Sequence, residues 1–246
     1  MSRKNIIMYA VTAVVTLGLI GGFLYWRTKD VPACSAVLEE HSENYACIST
    51  NFGVMVFELY PDAAPKTVEH LEKLANEKQF YDGLEFYRVV RNFVVQGGIQ
   101  DYQVRTTGID NVPEPYASKI ALGDETIDTE VNLDNFDLSE EERTGIEEEG
   151  YTSNKDLKSR KFAYGALAFA SSGPNTESTE IFIVLGKEES NYSFLNGRFA
   201  NIGGIVRGED VLEKIGNLEI DEDYKYAQGQ SEKPVDTIEI FEIRVK

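Results

Sequence analysis

Cysteine and histidine are scarce in this chain. Its 246 residues hold two cysteines, Cys34 and Cys47, and two histidines, His41 and His70. No set of them has the spacing of a structural zinc site. A metal mechanism would rest on carboxylates alone, and no carboxylate motif for one is present, so neither metal nor cofactor is expected. Cations are also few, with 24 Lys plus Arg against 42 Asp plus Glu and a formal net charge of −18. Holding phosphates requires clustered cations, so this imbalance excludes a nucleic-acid partner. The excess negative charge reads as a well-solvated acidic surface.

What is present suits a folded domain with an appendage. Hydrophobic residues make up 42% and aromatics 11%, enough to bury a core. From Ile6 to Trp26 no residue is charged. At a helical rise of about 1.5 Å per residue this run spans roughly 30 Å, the hydrocarbon thickness of a bilayer. Tyr25 and Trp26 stand where interfacial aromatics anchor such a helix. The run is longer than the apolar region of a secretory signal, and Arg27 to Asp30 separate it from the small residues near Cys34, so an uncleaved anchor is expected. Cleavage, or lipid modification at Cys34, stays open as an alternative. Arg3 and Lys4 before the run favour a cytoplasmic N-terminus and an extracytoplasmic domain. Gly18 and Gly22 form a single, weak GxxxG.

The expected organisation is an N-terminal tip and transmembrane anchor over 1–30, a linker over 31–44, and one domain over 45–246 with an insertion at about 101–160. Cys34 and Cys47 lie on either side of the boundary between linker and domain. Outside the cytoplasm they are free to pair, and two free thiols remain the alternative. Ala46–Thr50 and Val54–Tyr60 flank Asn51-Phe52-Gly53 and read as a hairpin. Pro65 suits a first helical position, with Val68, Leu71, Leu74 and Ala75 at helical spacing to near Lys78. Phe86–Val90, Phe93–Gln96, Ala166–Ala170, Ile181–Leu185 and Ile202–Val206 read as strands. Residues 208–215 read as a second helix, and Val235–Val245 as a last alternating strand. Within the polar insertion, Ser139 and Glu142 match a capping box for a helix from 140 to about 148. Many short strands without a βαβ rhythm predict an antiparallel barrel or sandwich.

Two stretches carry a family resemblance. The first runs Phe86-Tyr87-Arg88-Val89-Val90-Arg91-Asn92-Phe93-Val94-Val95-Gln96-Gly97-Gly98. The second runs from Gly165 through Ala170-Ser171-Ser172-Gly173-Pro174-Asn175-Thr176 to Glu180-Ile181-Phe182-Ile183. Together they resemble the cyclophilin signature, over about Cys47 to Lys246 with an interruption at 101–160. The resemblance implies a mainly β fold, a closed eight-stranded antiparallel barrel capped by two helices, and isomerisation of the peptide bond before proline. It implies that Arg88 supplies the catalytic guanidinium and that Gln96 hydrogen-bonds it or the substrate. Phe93, Val94, Phe182 and Leu195 would line the proline slot, Phe194 and Phe199 its rim, and Ser171 and Glu180 would meet the substrate backbone. The expected partners are proline-containing polypeptides, reached by a monomeric catalytic domain held at the membrane by its N-terminal helix.

The residues also have plainer readings. A strand arginine is ordinarily solvated, Phe93, Phe182 and Leu195 would suit a barrel core, and Gly-Pro-Asn-Thr makes a turn in any protein. Glu180 stands where the family commonly has Gln, replacing a group that donates and accepts with one that only accepts when ionised. It would either weaken the grip on substrate carbonyls or pair with Arg88 and hold its orientation. Tyr87 and Phe199 replace frequent His residues and Val94 a frequent Met. A catalytically weak module that binds Pro-containing segments as a chaperone or scaffold is the competing function.

Overall fold

The computed structural model describes residues 31–98, 119, 125–224 and 232–246. The uncharged run 6–26 and the first part of the insertion lie outside the described residues. Among those described, no helix is long and apolar enough to cross a membrane.

Eight strands form one antiparallel sheet. They are β1 (Tyr45–Thr50), β2 (Gly53–Leu59), β3 (Arg88–Val90), β4 (Val94–Gly97), β5 (Ala166–Phe169), β6 (Ile181–Val184), β7 (Gly203–Arg207) and β8 (Ile240–Val245), in the spatial order β3-β4-β6-β5-β7-β2-β1-β8. The β1–β2 hairpin turns at Asn51-Phe52, where Phe52 N–H donates to Thr50 Oγ1 at 3.1 Å. Asn51 then ties the hairpin to the C-terminal segment, donating to Thr237 O (2.9 Å) and accepting from Glu239 N–H (2.9 Å).

The closed barrel expected from the resemblance is corrected to a half-barrel, with β3 and β8 as the ends of an open ladder. Its edges approach only upstream of β3, through an isolated bridge between Glu85 and Glu239 and bonds from Phe86 N–H to Ile238 O (2.9 Å) and Ile240 N–H to Leu84 O (2.8 Å). The reason lies at β3. β3 is three residues long, and Val89 N–H pairs with Glu232 O (2.7 Å), outside the ladder.

Successive strand residues face opposite sides of a sheet, and here both sides are covered. The concave side holds Ile48, Met55, Phe57, Val89, Val95, Leu167, Phe169, Ile181 and Ile183. It is closed by α2 (Pro65–Glu72), extended by a π-helical turn Lys73–Glu77, and by α4 (Glu209–Gly216), through Val68, Leu71, Leu74, Val211, Leu212 and Ile215. The other side carries a separate cluster built on Val94, Phe162, Ala166, Ala168, Phe182, Val184, Tyr192 and Leu195. Each large apolar side chain so buried contributes about 1.5–3 kcal/mol.

The linker and the described part of the insertion both hold structure. In the stretch expected as a linker, α1 (Cys34–Leu38) packs Val37 and Leu38 on Val56, and Cys34 is joined to Cys47 with Cα atoms 5.5 Å apart. A five-residue helix is too short to show a period in sequence, so the disulfide and the sheet surface below it decide its conformation. In the insertion, α3 (Glu140–Glu148) begins as expected. Ser139 Oγ accepts from Glu142 N–H (3.2 Å) and Glu142 Oε2 accepts from Ser139 N–H (2.8 Å), a cap that stabilises by about 1 kcal/mol. The described part of the insertion has its own small core of Val131, Leu133, Phe136, Ile146 and Tyr151. Arg198 clamps it from outside with both Glu149 oxygens at 2.7 Å.

Candidate active site

The β3–β4 hairpin builds the site. Asn92 sits in the left-handed region at φ 59°, which asparagine tolerates better than most residues. It reverses the chain so that Phe93 N–H returns to Val90 O at 3.0 Å. Register then lines up one row, with Arg88 opposite Gln96, Gln96 opposite Phe182 and Phe182 opposite Ala168. Residues paired in register project from the same face, so a guanidinium, an amide and a phenyl ring become neighbours on the side of the sheet away from the barrel core.

Arg88 Nη1 donates to Gln96 Oε1 at 3.0 Å, and its Nε donates to Glu232. A guanidinium has five N–H donors. The other three take no partner among the described residues, and the side chain is 25% exposed. Gln96 Nε2 donates to Glu180 Oε2 at 2.5 Å, and the same oxygen accepts from Tyr87 Oη at 2.9 Å. The carboxylate that pairs with Arg88 is thus Glu232, and Glu180 is linked to the arginine only through Gln96. Close by, burial pushes the Tyr81 phenol well above its ordinary value, with the Glu180 charge adding to the effect. Its hydroxyl donates to Thr179 O at 3.1 Å.

The second glycine of Gln-Gly-Gly has a geometric reason. Gly98 adopts φ +117°, and a Cβ there would come within 2.8 Å of Thr179 O. Only glycine allows the chain at 97–98 to lie against 179–180, which keeps Glu180 within reach of Gln96.

Beside this polar row lies an apolar cluster. Val94, Phe182 and Leu195 are buried, and Phe93 and Phe199 are packed against them half-buried. The Phe199 ring meets Phe182 edge-on at 5.6 Å, and Phe162 stacks on its other side at 6.0 Å. Phe194 is 52% exposed with its ring 5.3 Å from Phe93, forming a rim. Phe194 aside, these residues belong to a cluster separate from the one inside the barrel. Ser171 follows Ala170, whose N–H donates to Glu180 O (2.7 Å). The Gly-Pro-Asn-Thr turn beyond it is closed by Thr176 Oγ1 donating to Gly173 O (2.8 Å) and docks the insertion through Asn175 and Thr129 (3.0 Å).

Sequence reasoning missed Glu232, Phe162 and the hydrogen bond of Tyr87. No local motif marks them, since Glu232 lies 144 positions from Arg88. Among the described residues no group of three His, Cys, Asp or Glu could hold a metal ion. A polar cleft of about 520 Å³ opens beyond Asn92, lined in part by Tyr164, Lys187, Glu188, Asn191 and Glu213, and includes none of the expected site residues.

Comparison with known proteins decides the family. The model described as cyclophilin type peptidyl-prolyl cis-trans isomerase/CLD matches residues 45–245. The chain belongs to this family. Among its relatives is a protein of Staphylococcus haemolyticus whose name proposes a peptidyl-prolyl cis-trans isomerase, 27% identical over 84% of this chain and 93% of its own length. Proteins named in the same way from Staphylococcus epidermidis are 28% identical over 84% and 94%. The fold is also that of a solved cyclophilin type peptidyl-prolyl cis-trans isomerase from Cryptosporidium parvum, crystallised in the presence of the dipeptide Ala-Pro. That match has a TM-score of 0.53 and 22% identity, and covers 82% of this chain and 98% of the other. In this cyclophilin, Arg88 and Phe182 of its signature stretches share one face of the sheet, with Gln96 between them.

Proposed function

We propose that this cyclophilin accelerates rotation about X-Pro bonds of polypeptides, with Arg88 as the catalytic group and the Val94–Phe182–Leu195 slot as the seat of the proline ring. The observation that carries this reading is the shared row of Arg88, Gln96 and Phe182. A cation with N–H donors that take no partner among the described residues lies on the same sheet face as an apolar cluster. Rotation about a peptide bond has a barrier of about 18–20 kcal/mol because the nitrogen lone pair is delocalised, and uncatalysed X-Pro isomerisation takes tens to hundreds of seconds. No bond breaks, so neither nucleophile nor metal is needed. A guanidinium facing the imide nitrogen interacts more strongly with a localised lone pair than with a delocalised one. It therefore favours the twisted state over either planar isomer, and such differential stabilisation lowers the barrier. Phe199 and Phe194 would hold the ring from the side while Glu180 and Ser171 flank the preceding residues. A protease-coupled assay with an Ala-Pro peptide tests this, comparing the protein with its Arg88→Ala variant.

The place of action we propose is outside the cytoplasm, on a single N-terminal anchor, with a monomeric catalytic domain acting on exported proteins. The uncharged run 6–26 and its basic flank support the anchor. The Cys34–Cys47 disulfide supports an oxidising compartment. Release of the protein from membranes by alkaline carbonate would overturn the anchor.

A further inference from the structure

Behind the guanidinium lies a second carboxylate. Glu232 Oε2 accepts from Arg88 Nε, with the Glu232 side chain 13% exposed. Backbone bonds on both sides fix its position. Its own carbonyl accepts from Val89 N–H (2.7 Å), next to Arg88 on β3. The following residues pair with the stretch after α4, through Asp221 N–H to Lys233 O and Val235 N–H to Glu219 O (both 2.8 Å) and the bridge between Ile220 and Pro234. The carboxylate therefore reaches Arg88 on a segment held from two directions. Gln96 takes Nη1, so the planar group is gripped at two of its three nitrogens and Nη2 is left for a substrate.

We propose that Glu232 is a positioning residue for the isomerisation, fixing the plane of the Arg88 guanidinium against the proline slot. The proposal rests on the reading of Arg88 as the catalytic group. An arginine side chain is long and has many rotamers, and its useful fork geometry is lost once the plane turns. In a chain with 42 acidic residues, an unheld guanidinium also has many competing carboxylates. Glu232 removes that freedom while leaving the substrate-facing donors open.

The test uses the full-length protein and separates kcat from KM on an Ala-Pro peptide for Glu232→Ala, Glu232→Asp, Glu232→Gln, Arg88→Ala and the Arg88→Ala/Glu232→Ala double variant. A misplaced catalytic group loses turnover rather than binding, so Glu232→Ala should lower kcat about tenfold with KM within about twofold. Glu232→Asp, one methylene too short, should behave alike while keeping the charge. Glu232→Gln still offers an oxygen to Nε and should recover turnover to within about threefold of the original. In the Arg88→Ala background Glu232→Ala should have no added effect, because residues acting through one another are not additive. An unchanged kcat in Glu232→Ala and Glu232→Asp, alongside an impaired Arg88→Ala, overturns the positioning role alone. The same is true if Glu232→Ala multiplies the Arg88→Ala loss by its full factor. Unchanged turnover in Arg88→Ala removes the parent reading, and the proposal with it.

Discussion

Gln96 Nε2 donates to Glu180 Oε2 at 2.5 Å while Gln96 Oε1 accepts from Arg88 Nη1 at 3.0 Å. One amide thus has both ends engaged, and it links the negative charge of Glu180 to the positive charge of Arg88. A hydrogen bond with one ionised partner is stronger than a neutral one, so the orientation of Gln96 is set by its two neighbours. The carboxylate at 180, the family departure that raised doubt about substrate binding, stands in the structure as part of the arginine's support.

Arg88→Ala should reduce kcat/KM for an Ala-Pro peptide by about 10²–10³, the usual effect of removing a donor that stabilises a transition state. Arg88 fills no core space, but its loss leaves the Glu232 carboxylate, 13% exposed, without its cation, so the melting temperature should fall by roughly a few degrees while the fold is kept. Unchanged turnover would assign catalysis to another group.

Glu180→Gln keeps an oxygen for Gln96 and Tyr87 and adds an amide donor that the carboxylate lacks. We expect kcat/KM to fall about two- to fivefold, because the hydrogen bond that orients Gln96, and through it Arg88, loses its ionised partner. A rise in activity would show that a donor to the substrate at this place matters more than the charge of Glu180.

The Cys34–Cys47 disulfide closes a short loop, with a sequence separation of 13. By loop-closure entropy its removal should cost about 3 kcal/mol. Guanidinium unfolding of the Cys34→Ala/Cys47→Ala variant measures this directly. A loss below about 1 kcal/mol would mean that α1 packs as well without the link.

Burial holds the His70 imidazole below the ordinary histidine value, partly opposed by its bond to Ser178 O at 2.6 Å. The unfolded chain then takes up a proton that the folded chain resists, so this residue costs stability as pH falls through about 6.5. Its full contribution is present above that value. His70→Gln can still donate to Ser178 O but does not titrate. Melting curves from pH 8 to pH 5 should show the advantage of the original protein over His70→Gln shrinking as pH falls. A constant gap would show that His70 is not the titrating group.

Much of the fold was legible because its signals are local. Pro65, the Ser139–Glu142 cap and Gly216 mark helix ends within a few residues of the bonds they serve, and α2, α3 and α4 lie where they were expected. Asn51-Phe52-Gly53 likewise marked the first hairpin. Less was legible in β6. Ile181, Phe182, Ile183 and Val184 are all apolar, so alternation alone cannot tell which pair faces the barrel core. The cover formed by Phe162, Tyr192 and Leu195 on one side, and by α2 and α4 on the other, resolves it.

From sequence alone came the family, the β-rich class, three of the four helices with the cap of α3, and the residue types of the candidate site, because each is written in neighbouring positions. Only the tertiary structure decided that the sheet stays open between β3 and β8, that Cys34 meets Cys47, that Val94, Phe182 and Leu195 pack outside the barrel core, and that Glu232 meets Arg88. Those depend on where distant backbone segments come to rest, and that is set by packing the whole sheet and its two clusters together.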